Sequence, residues 1–134
     1  MSETFATSHT IPEEPATDVR VGVLSFHNSK ETKAICNAVR ALGHQPVWLR
    51  EENTRTWVEN GTLHFDPDVD IVANRLLTTK ASQPLDDLGV ATSYAAARPV
   101  LNAPETVMLA MHKYGAAATL AAAGIPVPDA YMAF

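Results

Sequence analysis

The sequence predicts an α/β domain: a small parallel sheet of four strands in the order 2-1-3-4, flanked by helices, with a β-hairpin inserted between the second and third strands. Three observations carry that prediction. Short β-branched runs alternate with segments of helical periodicity, and a single Asn-Gly pair sits between two short strand-like runs. The length, 134 residues with 46% hydrophobic and 19% charged content, suits one domain rather than several.

Residues 1–17 mix Ser, Thr, Glu and Pro with little apolar periodicity, so they bury too little surface to offset the entropy of ordering and are expected to form a disordered tail. The domain proper is expected over 18–124. Val19, Val21, Val23 and Leu24 are apolar on both faces, as a buried parallel strand requires. Asn28 and Glu31 have capping-box spacing ahead of Ala34, Ile35, Ala38, Val39 and Leu42, which predicts a helix over about residues 29–42 stopped by Gly43. Val47, Trp48 and Leu49 then give the second strand, and strand, helix, strand at this spacing is a right-handed βαβ unit.

Thr56-Trp57-Val58-Glu59 and Thr62-Leu63-His64-Phe65 flank Asn60-Gly61, the dipeptide that most readily takes the positive φ angles of a type I′ turn. In two-residue register Val58 pairs with Leu63 and Trp57 with His64, so one face of the hairpin packs down while the other stays wet. Asp66-Pro67-Asp68 closes it. Val69, Ile71, Val72 and Ala73 make the third strand, ending in Asn74-Arg75. Ser82 is a candidate cap and Pro84 a candidate first residue for a helix running to about Ala97, weakened at Gly89 and ended by Arg98-Pro99. Val100-Leu101 is a minimal fourth strand, and Pro104 opens another helix through Val107, Leu109 and Met111. The run Ala116–Ala123 is strongly helix-forming, is expected to pack at close range, and is closed by Gly124. Each proline of Ile125-Pro126-Val127-Pro128 pushes its predecessor out of the α region, so residues 125–134 are expected to begin a link into a further domain.

Composition also excludes several functions. Ten basic against fifteen acidic residues give a formal charge of −5, so the electrostatic footprint of a nucleic-acid binder is missing. No run reaches the roughly 18 apolar residues that span a bilayer, and the first residues lack the basic and apolar regions of a signal peptide, so a cytoplasmic protein with no membrane partner is expected. Cys36 is the only cysteine; it can form no internal disulfide and is read as a buried, inert thiol. The histidines, His9, His27, His44, His64 and His112, are scattered without ligand spacing, and no metal site is expected.

Four short pieces stand in a telling order: Asp70-Ile-Val-Ala-Asn-Arg75, Val100-Leu-Asn102-Ala-Pro104, His112-Lys113, and Gly124-Ile-Pro-Val-Pro128. Over about residues 19–128 the chain resembles the N-terminal region of RimK-like ATP-grasp carboxylate-amine ligases, with His112 standing where the family more commonly has Asp. The resemblance implies a Rossmann-like pre-ATP-grasp domain and, in complete enzymes, two further lobes that clamp ATP with Mg²⁺. A glycine-rich phosphate loop, a strand lysine and a Glu…Asn metal pair do not follow here, so the isolated chain is expected to bind no cofactor and to catalyse nothing alone. The partners it implies are the missing C-terminal ATP-grasp lobes and a small acidic or amino-acid substrate, or a carrier protein. Homo-oligomerisation is compatible with all of this.

Candidate substrate-binding residues follow from the fold. Open α/β sheets bind ligands at the carboxyl ends of their strands, where Arg75 would offer a guanidinium fork matched to a carboxylate. The plainer reading pairs it with Asp70 or Asp86. Asn74 points the opposite way if the strand continues, so at most one of the two faces a given pocket. Ser25 and His27 lie in the loop between the first strand and its helix, where backbone N–H groups favour anions; the alternative is an ordinary capped loop. Asn102 is near the substrate or the interdomain hinge by resemblance, or else caps the helix at Pro104. Lys113 would reach the nucleotide phosphates by resemblance, or else is a solvated helix lysine. The rival to the ligase reading is a free-standing flavodoxin-like binding or interaction module. Its response-regulator form lacks the needed acids, since Ser25-Phe26 follow the first strand and Asn74-Arg75 end the third.

Overall fold

The computed structural model describes residues 18–76 and 84–133; the expected tail over 1–17 and the Ser82 cap lie outside the described residues. In chain order the elements are β1 (Arg20–Leu24), α1 (Lys30–Ala41), β2 (Gln45–Leu49), β3 (Arg55–Glu59), β4 (Thr62–Asp66), β5 (Ile71–Asn74), α2 (Pro84–Ala97), β6 (Val100–Leu101), α3 (Pro104–Met111) and α4 (Lys113–Ala122). Four parallel strands form one sheet in the order β2-β1-β5-β6, and β3 with β4 forms a separate antiparallel pair. The expected strand order and hairpin insertion are both present. No helix among the described residues is long and apolar enough to cross a membrane.

Register decides which side chains meet. Val21 lies beside Pro46 and Val23 beside Trp48, on the face that α1 covers. Leu24 and Leu49 project from the other face and join Val69, Val72, Leu76, Ala91 and Tyr94 in the core, so α2 covers that side. The step from β1 to β2 runs one way along the sheet and that from β5 to β6 the other, so connections of one hand place the two helices on opposite faces.

The hairpin has the predicted register, with Val58 opposite Leu63 and Trp57 opposite His64. Asn60 and Gly61 take φ of 51° and 76°, the two positive angles of a type I′ turn. Phe65 packs down, stacking on Tyr94 at 4.6 Å between centroids, while Trp57 and His64 stack on each other on the outer face. Val58, on the inner face but next to the turn, is 71% exposed. Arg98 pins the base: its Nε donates to the Val69 carbonyl at 2.8 Å, Nη2 meets Asp68 at 2.9 Å, and the guanidinium lies 5.2 Å from the Phe65 ring.

Three local expectations need correction. The N-cap of α1 is Ser29, not Asn28: Ser29 Oγ accepts from the Thr32 N–H at 3.1 Å, and the helix begins one residue later than predicted. Parallel pairing draws β2 back to Gln45, whose N–H donates to the Val19 carbonyl at 3.0 Å. The alanine-rich helix starts at Lys113 and buries none of its residues, so close packing of that run is not realised. It makes its main contacts with α3 across a tight corner, where a Cβ at Gly115 would come within 3.3 Å of His112 Nδ1 and 3.5 Å of Leu109 Cδ1.

Candidate functional site

The carboxyl ends of β1, β5 and β6 gather five of the six residues singled out from sequence. Ser25 follows β1 directly and is buried. Its Oγ donates to the His27 carbonyl at 3.1 Å and accepts from Thr32 Oγ1 at 3.1 Å, and its own carbonyl accepts from the Trp48 indole N–H at 2.8 Å. The Ser25 hydroxyl proton is thus already used in shaping the loop, and what the loop presents to solvent is His27 together with Asn28.

Asn74 and Asn102 tie the ends of β5 and β6 together. Asn74 Nδ2 donates to the Asn102 carbonyl at 3.0 Å, and Asn102 Nδ2 donates back to the Asn74 carbonyl at 3.2 Å. Asn74 Oδ1 also accepts from the Leu76 N–H at 3.1 Å, leaving a side chain only 2% exposed with both polar ends engaged. Asn102 holds φ at 61°, a left-handed conformation that asparagine tolerates better than most residues. It does not cap α3; that position belongs to Ala103, which makes no side-chain cap hydrogen bond.

Arg75 continues the ladder beyond β5, its N–H donating to the Leu24 carbonyl at 2.8 Å. Neither Asp70 nor Asp86 pairs with it among the described residues, and Asp70 instead accepts from the Arg20 N–H at 2.7 Å. Arg75 Nε is buried with no hydrogen-bond partner among the described residues. The Glu31 carboxyl, exposed in the first turn of α1, is held below the ordinary carboxylate range by its own backbone N–H first, then by Ser29, with Arg75 adding to the effect. Glu31 therefore already occupies the N–H end of α1 that a ligand carboxylate would seek.

Asn74 points to the opposite side, as the pleat requires, and lines a small recess with Asp87, Ala91, Pro104 and Val107. Asp87 is a site residue that sequence reasoning missed. It is 8% exposed, and burial pushes its carboxyl above the usual range, with Glu51 and Asp86 adding and His27 opposing. The signal was present: Asp87, Ala91 and Tyr94 share one helical stripe, and the latter two are core. The edge thus presents a cation on one face of the sheet and a buried acid on the other, with an exposed imidazole in the loop after β1.

Lys113 is exposed in the first turn of α4. The residue before it, His112, caps that helix: Nδ1 accepts from the Gly115 N–H at 3.0 Å. An imidazole here takes the capping role that Asp or Asn commonly takes at a helix start. Among the described residues no three His, Cys, Asp or Glu side chains converge as metal ligands do. No model of a known protein family matches the chain, and no curated protein matches it significantly in sequence.

Proposed function

We propose that the chain is the N-terminal, substrate-binding domain of a cytoplasmic ATP-dependent carboxylate-amine ligase of the RimK-like ATP-grasp kind, built on a Rossmann-like sheet and receiving an acidic or amino-acid substrate at its carboxyl edge. The observation that supports it most is Arg75: a cation at the end of an interior parallel strand, with a buried Nε that nothing among the described residues satisfies. A substrate carboxylate would complete that guanidinium and displace Glu31 from the end of α1. His27, exposed in the loop after β1, would stand beside the rest of the substrate. ATP and Mg²⁺ belong to the lobes that follow in complete enzymes, where Lys113 would meet the phosphates; those lobes would cover the apolar side chains that α3 and α4 leave exposed, Met108, Leu109, Tyr114 and Leu120.

Two measurements test this reading. Titrating the isotopically labelled chain with L-glutamate should shift the amides of residues 25–32 and 74–76 saturably. Arg75→Gln should abolish the effect and Glu31→Gln should strengthen it. No saturation, or saturation that survives Arg75→Gln, refutes substrate binding at this edge. In the polypeptide that also carries the ATP-binding lobes, Lys113→Ala should raise the apparent constant for ATP about tenfold, or ~1.4 kcal/mol, and an unchanged ATP dependence in a folded variant refutes the ligase assignment for that lysine.

A further inference from the structure

Away from the carboxyl edge, α1 and the outer strand β2 enclose a recess of about 150 Å³ lined by Lys33, Cys36, Asn37, Arg40, Pro46 and Trp48. The helical contribution is one stripe at i, i+3, i+4 and i+7, and Pro46 and Trp48 come from the same face of β2, so a single helix flank overlooks a single strand. The recess carries two cations and no acid among its lining residues, on a chain whose formal charge is −5. Neither Lys33 nor Arg40 has an ion-pair partner among the described residues.

The walls are held in place. Arg40 Nη1 donates to Asn37 Oδ1 at 3.0 Å, which orients the guanidinium. The Trp48 indole is anchored by its 2.8 Å bond to the Ser25 carbonyl and by Arg50, 5.2 Å from its ring centroid. Cys36 is buried, and burial pushes its thiol upward against the opposing pull of Arg40, so it offers a neutral, weakly polar wall.

We propose that this recess is a second binding site, for a small carboxylic acid with an apolar body: the carboxylate between Lys33 and Arg40, the body against Trp48 and Pro46. A guanidinium and an ammonium lining one recess match a carboxylate, and an indole with a proline ring matches an apolar or aromatic body. Size argues against larger ligands, since sites for drug-sized molecules run to about 300–1,000 Å³. An extended peptide added to the edge of β2 is disfavoured by the backbone. Gln45 and Leu49 turn their polar groups inward, bonding Val19 and Ser25, so the outward positions are Pro46 and Trp48, and Pro46 has no N–H to give.

The experiment uses the whole chain with Trp57→Phe, which leaves Trp48 as the sole indole, titrated by fluorescence with benzoate, benzyl alcohol and inorganic phosphate in parallel. Benzoate should give a saturable change in Trp48 emission that neither of the others gives. Lys33→Gln and Arg40→Gln should each weaken it about tenfold and together abolish it. Both side chains are exposed, and far-ultraviolet circular dichroism checks that the variants fold. Amide shifts of residues 33–40 in the unsubstituted chain provide a readout that needs no variant. Saturation by benzoate in an Arg75→Gln background keeps this site separate from the β5 edge. A flat benzoate titration, an isotherm unchanged in the double variant, or a response to phosphate but not benzoate overturns the proposal.

Discussion

Gly22 sits in the middle of β1, pointing into the core face, and a methyl group there would meet a wall. A Cβ built on it lies 2.8 Å from Leu49 Cδ1, 3.0 Å from Val69 Cγ2 and 3.4 Å from Leu49 Cγ. Carbon atoms prefer about 3.5–4.0 Å, so the first two contacts are deep in the repulsive range. Leu49 is 0% and Val69 2% exposed, so neither can swing into solvent. Overpacking of this kind costs about 1–3 kcal/mol, against which the stiffer unfolded chain of an alanine variant returns about 0.4–1 kcal/mol. Gly22→Ala should therefore destabilise by ~1–2 kcal/mol. With a urea slope of about 2 kcal/mol/M for a small domain, the midpoint should fall by roughly 0.5–1 M at unchanged slope. Leu49→Val removes the atom in closest conflict, so Gly22→Ala made in that background should cost much less, a coupling that a double-mutant cycle measures directly. A midpoint equal to or above that of the parent, or full additivity in the cycle, would show that the strand-to-core spacing argued here is wrong.

Burial, with Asp68 and Asp66 adding and Arg98 opposing, pushes the Tyr94 phenol from 10 up to about 12. A folded-state value above the unfolded one means that this stability is complete below pH 10 and lost as pH rises through the window from 10 to 12, a decline of about 2–3 kcal/mol that chemical denaturation along a pH series should reveal. Tyr94→Phe should lose about 1 kcal/mol at neutral pH, with its bond to the Pro67 carbonyl, and show a flatter alkaline limb. Asn74→Ala strands the Leu76 N–H and the Asn102 carbonyl and should cost about 1–3 kcal/mol in urea unfolding; a neutral result would mean that the β5–β6 tie is dispensable. His112→Ala should speed amide exchange at Gly115 and along the first turn of α4 by about 1 kcal/mol in local protection, whereas His112→Asp should retain it, and equal exchange in both variants would discount the cap.

Much of the fold was legible because its signals are local. The β-branched runs, the Asn60-Gly61 turn and the stops at Gly43 and Gly124 each declare themselves within a few residues, and right-handed crossover then restricts the strand order. The candidate site was legible only in part. Arg75 could be placed at a strand end from periodicity alone, but its unsatisfied Nε depends on what surrounds it in space. Asn102 followed by Ala-Pro looks like a helix cap; its amide instead turns back to a strand 28 residues away, a competition that no short window contains. Ser29 displaced Asn28 as the cap by a smaller margin. Thr32 lies within reach of both Ser29 and Ser25, and that hydroxyl network settles the register of the first turn.

The alanine run shows where propensity and packing part company. Alanine makes a helix without specifying a face, because it contributes little apolar area to any one stripe. In α4 the ends are well defined, by His112 at the start and Gly124 beyond the finish, yet no residue along the ten is buried. Helices shorter than about 12–15 residues are marginal in water even when rich in alanine, and they draw their stability from an apolar face that is covered. With α3 as its main neighbour, α4 therefore rests on its caps and on the corner at Gly115 to a degree that α1, anchored by buried Thr32 and Cys36, does not. The exposed Tyr114 and Leu120 would make up that difference only when another surface covers them, so docking of the proposed ATP-binding lobes should protect the α4 amides far more than those of α1.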